Sequence, residues 1–174
     1  ICLFFDDFDK RDRGFENLSH LVLYTHQPGF FEGLDTEAAL VMRLQVLSDK
    51  GVALSEDGSY LKASVDMGDS KTIGITAFPM SADRFRLGYS YDISWGDNRI
   101  FGNLKSRKIK ANPGARFDFS GDQFSTFIGW KTAITQQDKS DGTTEHDTAW
   151  GLLAGGHLDV VDELRLQAGG GFFH

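Results

Sequence analysis

At 174 residues the chain is long enough for one domain and too short to argue for two. Its 15 phenylalanines and 13 % aromatic content exclude a disordered chain, and a net charge of −7 argues against a nucleic-acid binder with a broad basic face. Cys2 is the only cysteine, which leaves no internal disulfide, no CxxC redox pair and no cysteine zinc motif.

The chain opens on a strand-like run, Ile1-Cys2-Leu3-Phe4-Phe5, cut short by Asp6-Asp7 and lacking the basic leader of a signal peptide. The acidic stretch that follows, through Asp9 and Asp12, lacks the spacing of a calcium loop. Candidate strands come next at 18–26, 38–47, 60–67 and 71–78, with 28–36 and 49–58 read as connections. Asn17-Leu18-Ser19 is a glycosylation sequon by formula only. Gly68-Asp69-Ser70 reads as a turn but breaks the alternation of long and short connections, so sidedness is not assignable there. No stretch approaches the ~18–20 apolar residues of a membrane helix, which leaves strands as the only way to span a bilayer.

The clearest signal is Arg84-Phe85-Arg86-Leu87-Gly88-Tyr89-Ser90-Tyr91-Asp92-Ile93-Ser94-Trp95. Odd positions are apolar or aromatic and even positions polar or glycine, the signature of a half-apolar ribbon. Its length exceeds the ~5–6 residues of ordinary strands and suits a tilted spanning strand. Shorter or similar copies follow at 115–119, 124–134, 150–160 and 164–172, with Phe127 out of pattern in the second. Ser120-Gly121-Asp122 and Val161-Asp162-Glu163 read as tight turns, whereas 96–114 and 136–147 read as long polar loops. Trp and Tyr residues gather near strand ends, as in interfacial girdles.

These residues resemble a bacterial outer-membrane β-barrel of the porin type. The resemblance is sharpest from Ala77-Phe78-Pro79 through Trp95 and in Gly129-Trp130-Lys131-Thr132. It covers about the last hundred residues well and the first seventy poorly, and the chain departs from it in ending on His174. It implies an all-β fold, an antiparallel up-and-down transmembrane barrel formed by a single domain over 1–174, of which the chain is a fragment incomplete at both ends. It implies further a location in the outer membrane, against lipid and lipopolysaccharide. A homo-oligomer or a protein partner is compatible with it.

In that register Phe85, Leu87, Tyr89, Leu152, Leu158 and Leu166 face lipid. Arg84, Arg86, Asp92, Arg116, Asp118, Lys131, His157, Asp159 and Arg165 face the lumen, because a charged side chain on the lipid face costs ~2–4 kcal/mol near the midplane. They line a pore that filters small solutes or ions, or they form a cross-strand salt-bridge network that stiffens the sheet. Gly88, Gly129, Gly151, Gly155, Gly169 and Gly171 leave the inner wall uncluttered or pack against a plug. Arg99, Lys105, Arg107, Lys108 and Lys110 make the 96–114 loop basic, either attracting anions and anionic head groups or simply solvated. His20, His26, His146, His157 and His174 show no metal-ligand spacing, and no catalytic motif or cofactor signature is present. The function expected is a passive outer-membrane channel. The alternatives are an anchoring barrel that holds a partner protein, and a soluble β-sandwich binding module.

Overall fold

Strands that alternate apolar and polar residues satisfy their backbone only by pairing, and paired neighbours put like residues on one face. A computed structural model, which describes residues 2–7, 16–47, 51–82, 84–88, 94–95, 108–138 and 142–174, is all-β among those residues. Its strands are β1 (Cys2–Asp7), β2 (Glu16–Pro28), β3 (Leu34–Leu47), β4 (Gly51–Glu56), β5 (Tyr60–Asp66), β6 (Thr72–Phe78), β7 (Leu87–Gly88), β8 (Ser94–Trp95), β9 (Lys108–Gly121), β10 (Phe124–Asp138), β11 (Thr144–Val161) and β12 (Leu164–Phe173). All pairings are antiparallel. One sheet runs β1-β2-β3-β5-β6-β9-β10-β11-β12, with β4 joined to β3 beyond the end of β5, and β7-β8 is a separate ribbon. Where a closed barrel was expected, the sheet is open, with β1 and β12 at its edges.

Two further expectations are corrected. The connection 49–58 contains β4, whose Val52 and Leu54 alternate with Ala53 and Ser55 and pair with Val46 and Leu44. The long loops are shorter than read. β10 and β11 pair out to Asp138↔Thr144, because Gln136↔His146 and its polar neighbours continue the ladder. β9 begins at Lys108 and carries a bulge opposite Lys131/Thr132. The remaining basic residues of that loop, Arg99, Lys105 and Arg107, lie outside the described residues.

The strand directions place four short connections at one end of the sheet. The turns 29–33, 67–71, 122–123 and 162–163 lie there together, and β6 ends, β9 begins, and β10 and β11 part toward the other end. Gly68-Asp69-Ser70 thus shares an end of the sheet with the 122–123 and 162–163 turns. In that turn Gly68, Asp69 and Ser70 all have positive φ, Met67 N–H donates to Lys71 O at 2.8 Å, and the Asp66 carboxylate accepts from Gly68 N–H at 2.8 Å.

One face of the sheet is apolar and uncovered. It carries Leu21 and Leu23, Leu40 and Leu44, Leu61, Ile73 and Ile75, Phe117 and Phe119, Ile128 and Trp130, Leu152 and Leu158, and Leu166 and Phe172. Their exposure runs from 37 % at Phe119 to 58 % at Ile128 and Phe172. Leu152, Leu158 and Leu166, expected on one face, share this exposed one.

The position of this apolar stretch slides across the sheet. One ladder row joins Leu34, Val65, Ile73, Phe119, Thr126, Gly156 and Ala168. On β12 the apolar positions, Leu164 to Phe172, centre on that row at Ala168. On β11 they run from Trp150 to Val160 and centre one residue off it, and on β10 they run from Phe124 to Ile134 and centre three off. On β3 they run from Ala38 to Val46 and centre on Met42, eight off. All displacements are toward the long-loop end. On β5, β6 and β9 the apolar positions centre on Ala63, Ile75 and Phe117, each two off, so the slide is uneven; eight residues over six strand steps is an average of ~1.3 residues per strand. With ~3.3 Å per residue and ~4.8 Å between strands, the band therefore crosses strands tilted by about 42°. Measured perpendicular to the band, its height is about 20–25 Å on these strands.

Candidate functional site

The opposite face carries the polar half of the alternation. Six of the sequence-assigned residues share it: Arg116, Asp118, Lys131, His157, Asp159 and Arg165 fall at alternate positions whose other cross-strand partners are Gly129, Phe127, Gly114, Gly151, Ser125 and Gln167. The same rows continue through Thr76, Lys62 and Glu37 to His26. Cross-strand ion pairs are present along the rows. The Arg165 guanidinium donates to the Asp159 carboxylate from Nε at 2.5 Å and from Nη2 at 2.8 Å, and Lys62 Nζ lies 3.8 Å from Glu37 Oε1. Arg116 Nε donates to Asp118 Oδ1 at 2.7 Å within β9.

Across this face lies the segment that gave the strongest strand signal. Its described residues, 84–88 and 94–95, form no spanning strand, because β6 pairs directly with β9 and leaves no slot between them. Among the described residues of 81–95, only the two-residue β7 and β8 form a ladder, with each other. Phe85 and Leu87, expected against lipid, are 2 % exposed and pack with Phe78, Ala82 and Leu153 on the polar side of the sheet. A half-apolar ribbon needs its apolar half covered, and here the sheet covers it. Tyr89 and Asp92 lie outside the described residues.

The sheet is shaped for this insert. A Cβ at Gly129 would lie 2.5 Å from the Phe85 ring, and one at Gly114 would lie 2.8 Å from Ala82 Cβ. Phe85 stacks on Phe78, with centroids 6.0 Å apart, and meets Phe127 edge-on at 6.1 Å. Phe127, which looked like a break in pattern, is thus a polar-face residue that seats the insert, with the Arg116 guanidinium 4.2 Å from its ring centroid. Ala82 N–H donates to Asn112 O at 3.0 Å, and Phe85 N–H to Ala82 O at 2.9 Å. Beneath them Lys131 is fully buried, with Nζ donating to Phe85 O at 2.9 Å. Lys131 was expected to line a pore; on this face it is instead buried beneath the insert and holds it.

Arg84 and Arg86 reach the polar face from the insert rather than from the wall. Arg84 packs on Gly58 and lies 4.0 Å from Asp57 Oδ2. Asp57 also stands 2.7 Å from the His20 ring and 3.9 Å from Arg43 Nη1. Sequence reading missed this hub, because its members come from four separate stretches of chain. Arg86 lines a cleft of about 310 Å³ with Leu87, Arg116, Ser125, Phe127 and His157. A second cleft of about 490 Å³ lies on the other side of Arg116, among Tyr60, Lys62, Arg84 and Asp118. Among the described residues no group of three His, Cys, Asp or Glu side chains is placed to hold a metal ion.

Compared with protein-family models, with curated proteins and with solved structures, the chain matches none.

Proposed function

We propose that this chain forms part of the wall of a bacterial outer-membrane β-barrel, a porin-like channel through which small solutes or ions diffuse passively. The carrying observation is the exposed apolar face and its slant. A membrane holds the apolar band level, so strands crossing it at a tilt must shift that band along each successive ladder. The ~1.3-residue shift corresponds to about 42°, inside the ~35–45° of transmembrane barrels, and the 20–25 Å height approaches their ~25 Å apolar band. The connections at one end, 29–33, 67–71, 122–123 and 162–163, are all five residues or fewer, which accords with short periplasmic turns. The polar face is then the wet wall, and lipid with lipopolysaccharide covers the other.

The test is conductance. The protein reconstituted into planar bilayers should give discrete current steps, and it should need detergent to leave the membrane fraction. Recovery as a soluble monomer after gentle lysis would rule out the barrel.

A second reading is favoured by the insert itself. Phe85, Ala82 and Lys131 occupy the polar face, as a plug would, and a barrel closed in this way would anchor a partner protein rather than pass solutes. Absence of conductance in a protein that still resides in the outer membrane decides for this reading.

A further inference from the structure

Of the four turns that share one end of the sheet, only 29–33 carries aromatic residues, Phe30 and Phe31. Phe30 is 94 % exposed, more than any other large apolar side chain among the described residues, and Phe31 is 48 % exposed. The two rings meet edge-on, with centroids 5.2 Å apart. Lipid does not cover them. On the slanted band Leu34 lies about 20 Å from the bilayer midplane, past the ~15 Å half-thickness of the hydrocarbon core, and the turn lies beyond Leu34.

The turn is tied down at both ends. Gly29 N–H donates to Leu34 O at 2.6 Å, Leu34 N–H to Phe31 O at 3.2 Å, and Asp66 N–H, at the end of β5, to Gly33 O at 2.8 Å. Gly33 has a φ of 81°, and Gly29 has no room for a Cβ against Leu34. Aromatic rings presented on a fixed turn lose little freedom on binding, which suits them to anchor an interface.

Charge says what they would anchor. A cleft of about 500 Å³ beside the rings is lined by Glu32, Asp35 and Asp66, and no basic residue lines it. Asp35 stands 3.3 Å from His26, and Asp66 accepts from Gly68 N–H. Glu32 is exposed and has no ion pair or hydrogen bond among the described residues. The four turns together carry Glu32, Asp69, Asp122, Asp162 and Glu163 against Lys71 alone. Such a rim attracts a cationic partner and repels an acidic one.

We propose that the 29–33 turn docks a basic segment of a second protein, whose apolar side chains cover Phe30 and Phe31 while its Lys or Arg residues meet Glu32 and the acidic rim. The surface stands on the fold and its charge; that it faces the periplasm, clear of lipid, rests on the channel reading.

The test is fluorescence anisotropy of a labelled hexapeptide of alternating lysine and leucine, titrated with the full chain in nonionic micelles against empty micelles. It should bind saturably. Peptides of alternating glutamate and leucine, or of alternating lysine and glycine, should bind more weakly by about tenfold or more. The double variant Phe30→Ser/Phe31→Ser leaves every charge in place and should weaken the lysine–leucine peptide by about tenfold or more, as should Glu32→Lys. Asp162→Lys makes the same change of charge on another turn and should weaken it by less than about threefold. Equal binding of the acidic peptide, unchanged binding in the double serine variant, or equal losses from Glu32→Lys and Asp162→Lys would overturn the site. Self-association of the chain that the double serine variant abolishes would give the surface to a second copy instead. With Cys2 replaced, a nitroxide at Phe30→Cys that a water-soluble nickel chelate cannot reach in liposomes would give it to lipid. Peptide binding without conductance leaves this surface and defeats the channel; conductance without peptide binding does the reverse.

Discussion

Residues 84–95 and residues 124–134 carry nearly the same pattern, and the molecule uses them in opposite ways. In β10 the apolar side chains Ile128 and Trp130 point away from the protein and stay exposed, while the insert turns Phe85 and Leu87 onto the sheet. Alternation shows that one half of a ribbon wants cover; it does not say what provides it. The choice is made by pairing. β10 has a partner on each side, β9 and β11, whereas the insert is shut out of the sheet by the β6–β9 ladder. The glycines then decide where the excluded ribbon lands, since Gly129 and Gly114 leave room for Phe85 and Ala82.

That comparison can be broken by truncating both regions. Phe85→Ala empties a packed site and should cost about 3–5 kcal/mol of unfolding free energy in micelles, whereas Ile128→Ala should cost far less. Equal losses, read from chemical denaturation, would mean that the insert is not seated as described. Introducing charge reverses the ranking by environment. Ile128→Arg should cost about 2–4 kcal/mol when the protein is folded in a bilayer and little in water. An indifferent Ile128→Arg in liposomes would remove lipid from that face.

A smaller effect is expected beneath the insert. Lys131→Met keeps the stem but leaves Phe85 O without its bond to Nζ, and should cost about 1–3 kcal/mol. It should also speed proteolysis near residues 81–88, with no change at the 122–123 turn. At the polar surface, Lys62→Ala removes a partly exposed partner of Glu37 and should cost less than about 1 kcal/mol. A larger loss there would mean that the polar rows act as a coupled network rather than as separate pairs.

Most of the wall was legible in the sequence. β10, β11, β12 and the second half of β9 follow from period-two alternation, β2, β3, β5 and β6 were read as candidate strands, and the tight turns at 122–123 and 162–163 follow from their turn residues. β4 was missed because it is six residues long and lies in what read as a polar connection. The insert was legible as a ribbon but not as an insert, since its exclusion depends on a long-range pairing between β6 and β9 that no local pattern announces. Of the candidate site, Arg116, Asp118, His157, Asp159 and Arg165 were found by parity alone. The Asp57 hub and the role of Lys131 were not, because both depend on where the insert comes down.

The lipid-facing reading turns on the slant of the apolar band, and depth measured with spin labels tests it most directly. After replacing Cys2, single cysteines at Leu34, Met42 and Ala168 would be labelled with a nitroxide in liposomes. Depth is then read from relative accessibility to oxygen and to a water-soluble nickel chelate. Leu34 and Ala168 lie on the same ladder row, so a level sheet puts them at equal depth. The slanted band instead predicts that Met42 and Ala168 are both near the bilayer midplane, with Leu34 about 20 Å away toward water. Equal depth for Leu34 and Ala168, or ready access of the nickel chelate to all three, would contradict it.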